Sequence, residues 1–358
     1  MKNRKWTFAL SIVLVIGLLL TACGGNKNNS NSGGNSQAPQ TSQTSNSDSN
    51  AGSSGQESKT YQIDVIVKAT DSDFWQSVLA GAEKAAADSN GKISVKTYGP
   101  PSEKDIDQQI SILENVVSRK PDGIVIASTS SDASVPMIEK AMDLNIPVVL
   151  VDNRVNTDKF VSFFATDNKK GGALAADLLV EAIKASGKEP KGKIGIISSM
   201  VGVQVLIDRN EGFMTRLKEI APDITPLETR YVDADITKAL SAAEDILTSN
   251  PDVLGFFADN NATGVGVARA ITERNLIGKV PVVAYDADNE EINALRSGAI
   301  HALVVQDPFG MGYKGVNAVV DYLEGREVPK EVDTGVTAVT AENLDTPEIQ
   351  ALLFPTKQ

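Results

Sequence analysis

One cysteine and one histidine are all that this chain of 358 residues carries. Cys23 has no partner for a disulfide. With His301 the lone imidazole, there is no material for a zinc cluster or for a Cys-His nucleophile pair. Stability must come from packing, and neither a metal nor any other cofactor is expected. Aromatic residues are scarce at 5%, and Lys and Arg number 34 against 46 Asp and Glu. A net charge of −12 makes the chain a poor match for phosphate backbones or anionic lipid headgroups, so no nucleic-acid partner is expected. Apart from the N-terminus, long apolar runs are missing too. The rest, 41% hydrophobic and 22% charged, is globular in composition and long enough for two domains.

The N-terminus reads as an export signal over residues 1–22: Lys2, Arg4 and Lys5 precede an apolar run from Phe8 to Leu20, too short to favour a permanent span. The ending Leu20-Thr21-Ala22-Cys23 resembles a bacterial lipobox, which implies cleavage before Cys23 and lipid on its thiol. That would place the protein on the extracytoplasmic side of the cell membrane, attached through the lipid. Residues 23–58 are almost entirely Gly, Asn, Ser, Gln and Thr, the composition of a flexible tether. Roughly 35 such residues reach on the order of 30 Å.

The remainder is organised around residues 63–87. Ile63, Val65, Ile66 and Val67 make a short apolar run suited to a strand buried on both faces. The turn and cap residues Thr70, Asp71, Ser72 and Asp73 follow, and then Phe74, Val78, Ala82 and Ala85 recur at helical spacing. Phe74 suits the helix's core face as well as a ligand; Trp75, about 100° further round, is harder to place in the same core. The same alternation predicts strands over 93–95, 123–127, 147–151 and 161–164 and helices over 103–117, 134–144 and 169–185. It then starts again, with strands over 193–198, 253–258 and 280–285 and helices over 209–220, 237–248, 261–275 and 309–324. His301 to Val305 reads as a further strand. Two similar α/β lobes joined near Thr166, with mostly parallel sheets, are the economical reading.

At this point the chain resembles the sugar-binding proteins of bacterial ABC importers, the ribose- and galactose-binding type, from Tyr61 to its end. The segments are FW at Phe74 and Trp75, RKPDGIVI near Pro121, NIPVVLVDNRV ending at Val155, and ATDNKKGG over 165–172. DRNEGF over 208–213, FFADNN over 256–261, VVAYDAD around Asp286 and VVQDP around Gln306 complete the series in order. The resemblance implies a type 1 periplasmic binding protein: two doubly wound lobes joined by a three-strand hinge, with the ligand cleft between them. Crossings near Thr166, Gln306 and Gly335 would assemble one lobe from residues 59–166 and 307–335 and the other from 167–306 and 336–358. It implies a monomer that closes on a sugar or related polyol and delivers it to a membrane permease.

Carried over from that resemblance, Asp152, Arg209, Asn260, Asp286 and Gln306 would form the polar shell, with Phe74 and Trp75 packing on the sugar ring. Asp152, Asn260 and Asp286 each follow a predicted strand, where the carboxyl ends of a parallel sheet meet a ligand, although such residues equally cap helices or form turns. Arg209 has the alternative of pairing with Glu211 or Asp208 at the surface. The sequence departs from the ribose-binding pattern at Ser72, at Lys68, at Ala234 where an aromatic often stands, and at Asn153-Arg154, where the arginine is moved along by one; Lys68, Ser72, Asn153 and Arg154 are still expected among the ligand-binding residues. Two cations, Lys68 and Arg209, nearly balance Asp152 and Asp286, which suits a neutral ligand, with Lys68 holding carboxylates. Three other readings compete. A partner of a signalling receptor would look the same; a glycosidase would use Asp152 and Asp286 as its carboxylate pair; a transcriptional regulator would need a DNA-binding segment before Tyr61.

Overall fold

The computed structural model describes residues 59–355. The expected leader over 1–22, Cys23 and the tether over 23–58 lie outside the described residues, as do 356–358. The chain begins β1 (Tyr61–Ile66), α1 (Asp73–Asp88), β2 (Ile93–Tyr98), α2 (Ile106–Arg119), β3 (Gly123–Ile126), α3 (Val135–Asp143), β4 (Val148–Val151) and β5 (Ser162–Ala165). A second series follows: α4 (Asn168–Ala185), β6 (Gly192–Ser198), α5 (Gln204–Ile220), β7 (Ile224–Pro226), β8 (Arg230–Tyr231), α6 (Ile236–Ser249) and β9 (Phe256–Ala258). It continues with α7 (Asn261–Glu273), β10 (Val282–Tyr285), α8 (Asn289–Ser297) and β11 (Ala302–Gln306). The chain ends with α9 (Pro308–Leu323), β12 (Glu331–Asp333), β13 (Val336–Thr340) and α10 (Pro347–Leu353).

The inner strands β3, β4, β9, β10 and β11 are short and buried on both faces because helices cover both sides of each sheet, whereas the edge strands β2, β8 and β12 are largely exposed or half-buried. Along β3, Val125 packs on one side and Ile124 and Ile126 on the other; along β10, Val282 and Ala284 oppose Val283 and Tyr285. The first sheet runs β12-β5-β4-β3-β1-β2 and the second β13-β11-β10-β9-β6-β7, with β8 paired to β6. The two orders correspond strand for strand, and every pairing is parallel except β11 with β13. This is a two-lobe α/β fold.

The backbone passes from the first sheet to the second after β5, returns after β11, and crosses again between β12 and β13. The first and third passages are tied together. Asp333 accepts from the Asp167 N–H at 3.1 Å and from the Gly335 N–H at 2.9 Å, and the Thr166 hydroxyl donates to the Gly335 carbonyl at 3.2 Å. The helix after each of the first two passages packs on the first helix of the lobe it enters, α4 on α5 and α9 on α1, through glycine. A Cβ on Gly172 would lie 2.0 Å from the Arg209 carbonyl oxygen, and one on Gly312 would lie 1.9 Å from that of Val78. Only glycine permits these approaches, and the first of them sets where Arg209 stands.

Several sequence expectations shift. The helix expected from Glu103 begins at Ile106, so Glu103 lies in the turn before it; the helix expected from Arg209 begins at Gln204, so Arg209 sits inside it. His301, expected within a strand, is exposed in the turn before β11. The sequence expectations do not include β7, β8 and β12, whose two or three residues give no periodic signal, nor β13, α8 and α10.

Candidate ligand-binding cleft

The carboxyl ends of both sheets open on one cavity of about 130 Å³, large enough for a small molecule rather than a single water. Two strand ends carry its central carboxylates. Asp152 follows β4 and Asp286 follows β10, and both adopt left-handed backbone, with φ of 62° and 77°. This conformation costs a non-glycine residue energy and persists only where surroundings enforce it. It turns each carboxylate into the cavity.

In the first lobe Lys68 Nζ lies 2.6 Å from Asp152 Oδ2 and 5.4 Å from the centre of the Trp75 ring, with both charged side chains almost wholly buried. Trp75 is 3% exposed and packs in the core, while Phe74 is only half-buried and meets it edge-on at 4.7 Å. This reverses the packing expected from helical spacing. The cleft side of α1 is itself roofed by the turn carrying Glu103, whose Oε1 accepts from Trp75 Nε1–H at 2.7 Å. Phe74, Trp75, Ser72, Asp71, Ser102 and Glu103 all line the cavity.

In the second lobe Arg209 is 3% exposed. Its Nε–H donates to Asn168 Oδ1 at 2.8 Å, one terminal nitrogen donates to the Asp259 carbonyl at 2.9 Å, and the guanidinium stacks 4.0 Å from the centre of the Tyr285 ring. Surface pairing with Asp208 or Glu211 does not occur: Glu211 takes Lys169, and Asp208 accepts from Gln204. Asp286 Oδ1 accepts from Gln306 Nε2–H at 2.7 Å and Oδ2 accepts from the Asn261 N–H at 3.2 Å. That bond orients Gln306 and leaves its buried Oε1 with no protein donor. Asn260 does both things expected of it, capping α7 through a box with Thr263 and lining the cavity.

Burial pushes the Asp286 carboxyl up, against the pull of Arg209 and Gln306, and likewise raises Glu103, against the pull of Lys68 and the Trp75 bond. Behind Arg209, burial raises Asp259 to about 6 although Ser198, Asn210 and the Ser199 N–H all donate to it.

Asn153 and Arg154 do not line the cavity, contrary to expectation. The left-handed turn at Asp152 sends the next residue the other way. Asn153 is buried behind it, meeting Ser131 and the Val205 N–H at the start of α5, each at 3.4 Å. Arg154 pairs with Asp158 and Glu331 at the surface. Ala234 does line the cavity, and Phe74 and Trp75 are the only aromatic rings in that wall; the second lobe adds Val203, Val205, Leu206 and Ile236. The contribution of Glu103 had no local signal, because a turn carboxylate two residues before a helix cap looks like any solvated one. Among the described residues no group of His, Cys, Asp and Glu is arranged to hold a metal ion, and no helix is long and apolar enough to cross a membrane.

A two-lobe fold with its polar cavity at the facing strand ends is that of a type 1 periplasmic binding protein. Residues 63–327 match the periplasmic binding protein domain, and the chain belongs to that family. It is 28% identical to the ribose import binding protein of Bacillus subtilis over 327 residues, 90% of this chain and 96% of that one. It is also 28% identical to the D-allose-binding periplasmic protein of Escherichia coli, over 72% of this chain and 83% of that one. Among solved structures, a carbohydrate transporter solute binding protein from Agrobacterium radiobacter in complex with D-arabinose is 40% identical with a TM-score of 0.79. An ABC transporter solute binding protein from Agrobacterium vitis with bound D-fucose is 34% identical, with a TM-score of 0.77. Each alignment covers 82% of this chain and 99% of the other.

Proposed function

We propose that this protein captures a sugar or related polyol by closing its two lobes and delivers it to the permease of an ABC importer, without chemistry of its own. One observation carries the reading: a cavity between the lobes in which Lys68 and Asp152 from one lobe face Arg209, Asp286 and Gln306 from the other, beside the Phe74–Trp75 pair. Hydroxyls both donate and accept, so they need mixed partners, while a sugar's C–H face suits an aromatic wall. Asp152, Arg209, Asn260, Asp286 and Gln306 would hold the hydroxyls, with Ser72 and Lys68 at the first-lobe wall. The lobes are residues 59–166 with 307–335 and 167–306 with 336–358, hinged at the three crossings. A glycosidase role has little support: the carboxylate pair is its one observation, and Asp152 is paired with Lys68 while Asp286 accepts from Gln306 and the Asn261 amide, the contacts of a polar binding shell.

Thermal unfolding of the full chain with D-ribose, D-allose, D-arabinose and D-fucose tests this. A ligand at 100 times its Kd adds about 2.7 kcal/mol and raises Tm by several degrees. The reading fails if none of them, nor a wider panel of polyols, shifts Tm at millimolar concentration. The protein would be anchored outside the cytoplasm through lipid on Cys23. Cys23→Ala should release it from membranes, and a variant still cleaved and fully membrane-bound after a high-salt wash would refute the anchor.

A further inference from the structure

Glu103 belongs to the cavity wall but not to the set of ligand residues argued from strand ends. Its carboxylate is held by one bond, from Trp75 Nε1–H to Oε1 at 2.7 Å. Two oxygens offer about four acceptor positions, and among the described residues no second donor bonds to this carboxylate, so the remaining positions are available on the cavity side. Lys68, the cation whose charge acts on Glu103, lies 2.6 Å from Asp152 Oδ2. The lining therefore holds four carboxylates, on Asp71, Glu103, Asp152 and Asp286, against two cations, Lys68 and Arg209. Each cation already faces a carboxylate of its own, Asp152 or Asp286, so Glu103 feels the attraction of Lys68 but has no ion pair of its own among the described residues, and the lining keeps an excess of acidic groups. A ligand carboxylate or phosphate arriving there would meet like charge in a confined space, whereas a hydroxyl would find an acceptor held at fixed geometry by Trp75.

Resting on the sugar-binding reading, we propose that Glu103 is a specificity-determining residue: it accepts a hydroxyl hydrogen bond from the bound sugar and excludes sugar acids and sugar phosphates. Selectivity for neutral ligands then comes from a repulsive element in the turn before α2 as well as from the attractive shell at the strand ends. Glu103→Gln keeps an acceptor for Trp75 Nε1–H and removes the charge. Trp75→Phe removes the bond and keeps the charge.

The experiment measures binding of D-ribose, D-allose, D-arabinose, D-fucose, D-galacturonate and ribose 5-phosphate to the full chain by calorimetry. The parent should bind at least one neutral sugar and neither anion. In Glu103→Gln the ratio of anion to neutral affinity should rise at least tenfold, and in Trp75→Phe it should not rise. Glu103→Ala serves the same comparison if the glutamine variant does not fold. An unchanged ratio in the charge-removing variants, with neutral affinity falling equally in Trp75→Phe, would mean that Glu103 only holds Trp75 and would overturn the proposal. A parent that binds galacturonate as tightly as the neutral sugars overturns it too, yet leaves the sugar-binding reading standing. A parent that binds no sugar of either kind removes both.

Discussion

Asp152 and Asp286 occupy equivalent places in the two lobes. Each follows the third strand of its sheet order, β4 or β10; each has left-handed φ; and each N–H donates to the next strand, to Phe164 O at 2.9 Å and to Val304 O at 3.0 Å. The carboxylates differ in their partners: Asp152 holds an ammonium from its own lobe, and Asp286 holds an amide side chain and faces a guanidinium. The cavity is thus built from one backbone device used twice and dressed differently on each side.

Breaking the first-lobe pair should cost stability. Lys68→Met leaves the buried Asp152 carboxylate without its cation, and losing one partner of such a pair typically costs about 3–5 kcal/mol. Adding Asp152→Asn should restore much of that. Urea denaturation of the two variants checks it, and equal destabilisation in both would mean that the pair is not the source.

Arg209→Ala should weaken ligand binding by about 2–5 kcal/mol, since it strands the Asp286 carboxylate in a buried site. Lysine should not rescue it. The guanidinium donates in two directions, to Asn168 and to the Asp259 carbonyl, with its carbon 4.0 Å from the centre of the Tyr285 ring, a combination an ammonium cannot reproduce. Calorimetry that finds Arg209→Lys within twofold of the parent would contradict this account.

Asp259 predicts an unusual pH dependence. Its carboxyl is raised from 3.8 to about 6 in the folded protein, so the folded state holds the proton more tightly than the unfolded one. The group's contribution therefore favours folding below about pH 4 and is lost as pH rises through about 6, by on the order of 3 kcal/mol. Asp259→Asn lacks this dependence. The stability of the parent relative to the variant should thus be greatest near pH 4 and smallest near pH 7, as read from denaturation curves at each pH; a difference that grows with pH would show the sign to be wrong.

Asp73, at the start of α1, accepts from the Asn289 side chain at 2.8 Å and from its backbone N–H at 3.4 Å, at the start of α8 in the other lobe. This contact can exist only when the lobes are together, and it lies outside the main cavity wall. Asn289→Ala should raise Kd by a few fold, mainly through faster release, because an exposed contact of this kind is worth about 1 kcal/mol or less. Solution scattering should show the parent shrinking on ligand binding and the variant shrinking equally at saturation. A variant with unchanged affinity would show that the contact does not bias closure.

Sequence alone determined the alternation of strands and helices, the doubling into two lobes, and the placing of Asp152, Asn260 and Asp286 at strand ends. It could do so because strands buried on both faces must be short and wholly apolar, and because the residue following such a strand stands at the sheet's carboxyl edge. Arg209 and Gln306 were legible through their motifs. Tertiary structure alone decided which neighbouring residues face the cavity. The left-handed turn at Asp152 sent Asn153 and Arg154 away from the site, the turn before α2 brought Glu103 into it, and the roof formed by that turn buried Trp75 in place of Phe74. Local periodicity specifies a face of one helix or strand, whereas these three outcomes depend on backbone torsions and on segments 28 or more residues apart meeting in space.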